Sequence, residues 1–263
     1  MAHLKKILAL VVFAIISYPG ITQNRSLYEK KYFIQNQDTL RYRVLYPLNY
    51  DINKKYPLVL FLHGSGEKGS DNESQLKWGA DLFLDSAKRA TFPAIIVFPQ
   101  CPVNSSWVRI MIGNRTDSLG GFTFPVDQPP LTPLQLVMHL MWQMAKDKII
   151  DDQRIYVGGL SLGGFGTYEL LWRMPDFFTA AFPICGGGNP DKPALYAKNF
   201  PIWIFHGGSD PIVPVGNAHL MYQMMINAGA LVKYSEYPGV GHDSWKNAFA
   251  EPDLLPWLFA QKK

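Results

Sequence analysis

Short runs of continuous apolar residues alternate along this chain with longer segments of helical spacing. Leu58 to Leu62 and Ala94 to Phe98 are apolar at every position, as strands buried on both faces of a sheet should be. Arg154 to Gly158, Ala180 to Ile184, Ile202 to Phe205 and Val232 to Glu236 predict further strands. Upstream, Tyr28 to Ile34 and Thr39 to Tyr46 read as two strands joined around Asn36, Gln37 and Asp38. Between these segments the period changes. Leu76, Ala80, Phe83 and Ala87 predict a helix over Gln75–Arg89, and Leu134, Val137, Met138, Met141 and Met144 form the apolar stripe of another over Leu134–Lys146. Thr132 is expected as the N-cap of the latter, with Pro133 at its first position and Gln135 completing a capping box. Helices over Phe165–Arg173 and Trp245–Phe259 complete the pattern. Strands alternating with helices of this length predict an α/β fold with a mainly parallel sheet flanked by helices.

The first residues stand outside this pattern. Lys5 and Lys6 precede ten apolar residues, Ile7 to Ile16, followed by the breakers Pro19 and Gly20. That is the composition of an export signal, too short to span a bilayer comfortably, with Gly20 and Thr22 permitting cleavage before Gln23. A retained membrane-proximal anchor is the competing reading. Residues 1–22 are therefore expected as a leader and 23–263 as one catalytic-size domain, exported to the periplasm or medium and not inserted in a membrane after processing. Removing Lys5 and Lys6 with the leader takes the 25 Lys+Arg to 23, against 21 Asp+Glu, a net charge of +2. No basic footprint for nucleic acid remains. The only cysteines are Cys101 and Cys185, so this is no disulfide scaffold. No His/Cys/Glu cluster has metal spacing, and no metal or cofactor is expected.

The strand ending at Gly158 runs into Gly159-Leu160-Ser161-Leu162-Gly163 and then into a helix. This is the G-x-S-x-G elbow in its strand–turn–helix context, where a Cβ at either flanking glycine would collide with neighbouring backbone. A serine hydroxyl is a poor nucleophile unless a base takes its proton and an acid orients that base. His242, in Gly239-Val240-Gly241-His242-Asp243, is the candidate base. Asp210, in His206-Gly207-Gly208-Ser209-Asp210-Pro211, follows a buried strand and is the candidate acid. Asp243 is a rival acid, less well placed as the neighbour of the base. His63 and His206 end strands and are expected to hydrogen-bond the loops that shape the site; His139 and His219 fall within helices.

With these loops in chain order, the sequence resembles the α/β-hydrolases over most of its length. More narrowly it is similar to secreted carboxylesterases of the dienelactone-hydrolase-like, feruloyl-esterase-like and "predicted peptidase" group. The resemblance rests on Leu62 to Glu67, Pro99 to Pro102, Gly159 to Gly164, His206 to Asp210 and Gly241 to Trp245. It implies catalysis by Ser161, Asp210 and His242, with an oxyanion hole built from the backbone N–H groups of Leu162 and Ser65 (Gly66 being the alternative to Ser65). It also implies two strands between Cys101 and Cys185, a separation beyond disulfide reach, and hence two free thiols.

Only a short connection, Cys185 to Asn199, follows the sixth strand, which leaves no room for a large helical cap. The longer elaboration, Pro99 to Pro130, carries Trp107, Phe122 and Phe124 as candidate substrate contacts, with Arg109 and Arg115 as candidate anion contacts. Trp245 is a further candidate for the pocket wall. The expected substrate is a small-molecule or polysaccharide-linked ester, with aryl, feruloyl and acetyl-sugar esters in view. A serine peptidase or amidase, and a non-catalytic carbohydrate- or protein-binding member of the fold, are the alternatives. Oligomeric state has no signature in the sequence.

Overall fold

The structure, a computed structural model, describes residues 24–113, 119–125 and 128–263. The expected leader and Arg115 lie outside the described residues. In chain order the elements are β1 (Glu29–Gln35), β2 (Asp38–Leu45), β3 (Tyr56–Leu62), α1 (Ala80–Leu84), α2 (Ser86–Thr91), β4 (Ile95–Gln100), β5 (Met111–Ile112) and β6 (Phe122–Thr123). They continue with α3 (Thr132–Ala145), β7 (Ile150–Leu160), α4 (Leu162–Arg173), β8 (Ala180–Ile184), β9 (Pro201–Gly207), α5 (Gly216–Asn227), β10 (Leu231–Tyr237), α6 (Trp245–Ala250) and α7 (Leu254–Ala260). Eight strands form one sheet in the order β1-β2-β4-β3-β7-β8-β9-β10, while β5 and β6 form a separate small hairpin. β1 and β2 pair antiparallel, as do β2 and β4; every pairing from β4 through β10 is parallel.

The central strands are apolar on both faces because helices cover both. Leu58, Leu60 and Leu62 of β3 pack with residues of α3 and α4, whereas Val59 and Phe61 pack with residues of α1 and α7. Successive side chains of one strand thus feed two cores. Register then sets the position of the loops. Phe61 and Leu62 pair with Gly158 and Gly159, so β3 and β7 end level with each other. Glu236 and Tyr237 pair with His206 and Gly207, so the loops after β9 and β10 also open together. All four loops emerge at the carboxyl edge of the sheet, where open parallel sheets bind ligands.

Three boundary expectations are corrected. Gln75–Arg89 is not one helix: a 3-10 turn at Ser74–Leu76, α1 and α2 replace it, separated at Gly79 (φ 84°) and at extended Asp85, whose carboxylate caps the Lys88 amide at 2.8 Å. α3 begins one residue early, with Leu131 at the cap position and Thr132 already helical, so no capping box forms. The C-terminal segment is two helices because Glu251 turns extended before Pro252. Cys101 and Cys185 are free and buried at the ends of β4 and β8, with β3 and β7 between those strands. Among the described residues no helix is long and apolar enough to cross a membrane.

Candidate active site

The turn from β7 into α4 is set by glycines. A Cβ at Gly159 would lie 2.3 Å from the Gly163 carbonyl oxygen, and one at Gly163 only 2.0 Å from that of Leu62. Between them Ser161 is held at φ 52°, ψ −117°, a conformation L-residues rarely adopt. Such strain costs about 1–3 kcal/mol and persists only where the surroundings over-determine it. Here the Ser161 amide donates to Ile184 O at 2.9 Å, and its carbonyl accepts from Phe165 N at 3.1 Å.

Ser161 Oγ lies 2.8 Å from His242 Nε2, and His242 Nδ1 lies 2.7 Å from Asp210 Oδ2. Asp210 Oδ1 accepts from the Ile212 and Val213 amides, each at 2.9 Å. His206 Nε2 donates to Val213 O at 2.8 Å and stands 3.5 Å from Asp210 Oδ2. Burial alone would push the Asp210 carboxyl up, but hydrogen bonds from His206, His242 and the Val213 amide outweigh it and hold the group well below the usual carboxylate range. A carboxylate fixed in this way requires the proton of His242 to sit on Nδ1, leaving Nε2 free to accept from the serine. Asp243 instead pairs with Lys246 at 2.7 Å.

The Leu162 amide opens α4 and so has no intrahelical acceptor. Ser65 opens a 3-10 turn, Ser65–Glu67, and lines the same cleft as Ser161 and Leu162. The direction of its N–H follows from the neighbouring carbonyl. His63 Nε2 accepts from the Cys101 amide at 3.0 Å, which places the ring proton on Nδ1, 2.6 Å from Gly64 O. In a trans peptide the C=O and N–H point in opposite directions. Drawing the Gly64 carbonyl toward His63 therefore turns the Ser65 N–H away from it, toward the cleft.

That cleft has a volume of about 760 Å³ and is mostly apolar. Val108, Ile110, Met111, Ile112 and Phe122 from the β4–α3 elaboration line it, together with Leu162 and Phe165 of α4 and with Ile212 and Val213 just after Asp210. Arg109 lies on its lining as expected, and Phe122 is the one proposed aromatic contact to do so. Trp107 is corrected: it is 0% exposed, donates from Nε1 to His63 O at 3.0 Å, and supports the His63 loop from inside. Phe124 packs on the Phe165 ring, 5.9 Å between centroids, and is not among the residues that line the cleft. Trp245 meets His242 edge-on at 5.5 Å and is not among the residues that line the cleft. Met111, Ile112, Ile212 and Val213 line the cleft without standing among the sequence candidates. The signal for the last pair was present in two β-branched apolar residues directly after Asp210-Pro211, where a surface turn has no use for them. Among the described residues no three His, Cys, Asp or Glu side chains gather as metal ligands would.

Comparison with known proteins agrees with this architecture. A family described as Phospholipase/Carboxylesterase matches residues 134–251. A structure titled as a thermostable esterase superposes with a TM-score of 0.79 at 33% identity, over 90% of this chain and 64% of that one. This chain has the α/β-hydrolase fold. Its curated relatives include acyl-protein thioesterase 1 of Gibberella zeae, 27% identical over 71% of this chain and 83% of that protein. Probable feruloyl esterase C of Aspergillus niger is 25% identical over 87% and 75%. The hydrolase thus falls with esterase-type members of the fold.

Proposed function

We propose that the protein is a serine carboxylesterase working through an acyl-enzyme. The observation that carries this reading is the unbroken chain Ser161 Oγ–His242 Nε2 and His242 Nδ1–Asp210 at hydrogen-bond distance. In this reading His242 takes the Ser161 proton as Oγ attacks the ester carbonyl. The developing oxyanion is received by the Leu162 and Ser65 amides, donors each worth about 3–4 kcal/mol in the transition state when aimed well. His242 then protonates the departing alcohol, and water repeats the attack to release the acid. An apolar cleft of this size favours esters with a bulky or aryl group over acetyl esters, consistent with what the names of the feruloyl esterase relatives say of those proteins.

Replacing Ser161 by Ala should leave the fold intact and abolish nearly all hydrolysis, while a fluorophosphonate should add its mass to the Ser161 peptide of the wild type. Wild-type turnover in S161A would end this reading. A panel of aryl, feruloyl and acetyl esters, a thioester and peptide amides ranks the substrates and separates esterase from amidase. We further propose export with removal of residues 1–22, leaving 23–263 as the working domain. Intact mass of protein recovered from periplasm or medium checks this; a species retaining Ile7 to Ile16 speaks for an anchor.

A further inference from the structure

Glu67 is a carboxylic acid only 4% exposed, in the turn that carries the Ser65 amide, and no step described so far uses it. A buried carboxyl is costly unless polar groups surround it. Here the Gly64 amide, its own amide and the Trp78 indole N–H face it, and Lys77 Nζ lies 3.9 Å from Oε1. Burial still raises its pKa, against the pull of Lys77 and those donors. Its Oε2 lies directly against Gly64: a Cβ built there would be 3.2 Å from Oε2 and 3.6 Å from Ser161 Cβ. The carboxyl and the nucleophile therefore stand around the same backbone atom.

Gly64 joins two peptides, and each has an anchor. The peptide on its carboxyl side is held at the Gly64 carbonyl by His63 Nδ1–H, 2.6 Å away. The peptide on its amino side presents the Gly64 N–H to Glu67. Since each peptide is planar, fixing both determines φ and ψ of the glycine, which has no Cβ to limit them itself. From Glu67 a packed column also runs outward. Trp78 stands 5.7 Å from Trp245, and Trp245 is edge-on to His242.

We propose that Glu67 is a positioning residue that holds the Gly64 amide and the Trp78 indole together, thereby aiming the Ser65 N–H and setting the oxyanion loop against the His242 loop. This rests on Ser161 acting as nucleophile with Ser65 as oxyanion donor. Its signature is selective loss of transition-state stabilisation. Removing an oxyanion donor outright lowers kcat by about 10²–10³, so a misaimed one in E67A should lower it by about 10- to 100-fold, with KM moved less than about twofold.

The test measures kcat and KM on 4-nitrophenyl butyrate and the Ki of an alkylboronic acid, whose serine adduct needs the oxyanion donors. Wild type and S161A are run first, so that failure of the esterase reading is seen separately. In E67A the boronate should weaken by the same factor as kcat. E67Q, which keeps an acceptor for the Gly64 amide, should stay within about threefold of wild type on both measures, well short of losing a donor. Should E67A not fold, E67D draws the carboxyl back by one methylene and should show the same split in milder form. Wild-type kcat and boronate affinity in E67A, or in E67D where it is the folded variant, would overturn the proposal. So would equal losses in E67A and E67Q, or a loss confined to KM with boronate affinity intact.

Discussion

The imidazole of His63 is walled in by Cys101, Gly64 and Trp107, and burial lowers its pKa from 6.5 to about 4, opposed in part by the Gly64 carbonyl. Lys68 adds to the lowering and Asp71 works against it. Between those two pH values the unfolded chain binds a proton that the folded chain refuses, so stability falls as pH falls through this window. At pH 4.5 the loss relative to pH 7 is about 2.5 kcal/mol from this one ring. Urea unfolding at both pH values should show that loss in the wild type and its absence from the difference in H63N, the carboxylates being common to both. The same residue illustrates what sequence conveys at this scale. His63, Asp210, Ser161 and His242 could be picked out because each follows a strand in a loop of distinctive composition. The burial of Trp107 could not: an indole in a long loop reads equally as substrate platform or as internal brace, and only the His63 carbonyl 3.0 Å from its Nε1 decides for the brace.

At the scale of elements, the elbow is a contact between three backbones, those of β3, β7 and α4, with no side chain between them. Gly163→Ala should therefore destabilise by more than about 3 kcal/mol, since backbone cannot yield as a flexible side chain does. Gly66, two residues beyond Gly64, has nothing within 4 Å of a built Cβ, and Gly66→Ala should stay within about 0.5 kcal/mol of wild type. Equilibrium unfolding of the two variants checks the contrast. Strands were legible because continuous apolar runs leave few other choices, and those of β3, β4 and β8 fall close to their observed spans. Helices near the site were less so. The apolar spacing from Leu76 to Ala87 runs through Gly79, whose left-handed φ stops the helix where its hydrogen opposes the Phe61 and Phe249 rings. Periodicity has no means of registering such a tertiary contact.

In the molecule as a whole, one edge of the sheet carries the proposed nucleophile, base, acid and oxyanion loop, and no helix longer than a 3-10 turn (Pro193–Leu195) stands between β8 and β9 to cover them. The two cysteines take no part in this chemistry, and each is buried with its thiol pKa pushed up by burial, that of Cys101 to about 12. Thiolates are the species that oxidise and exchange, so both sulfurs are chemically quiet at neutral pH. Nothing in the fold is cross-linked, and the denatured chain is as unconstrained after synthesis in a reducing compartment as in an oxidising one. Dithiothreitol should leave the melting temperature unchanged. Preparations made in a reducing cytoplasm and in an oxidising periplasm should unfold at the same urea concentration, so that thiol–disulfide catalysts are dispensable to the manufacture of this hydrolase.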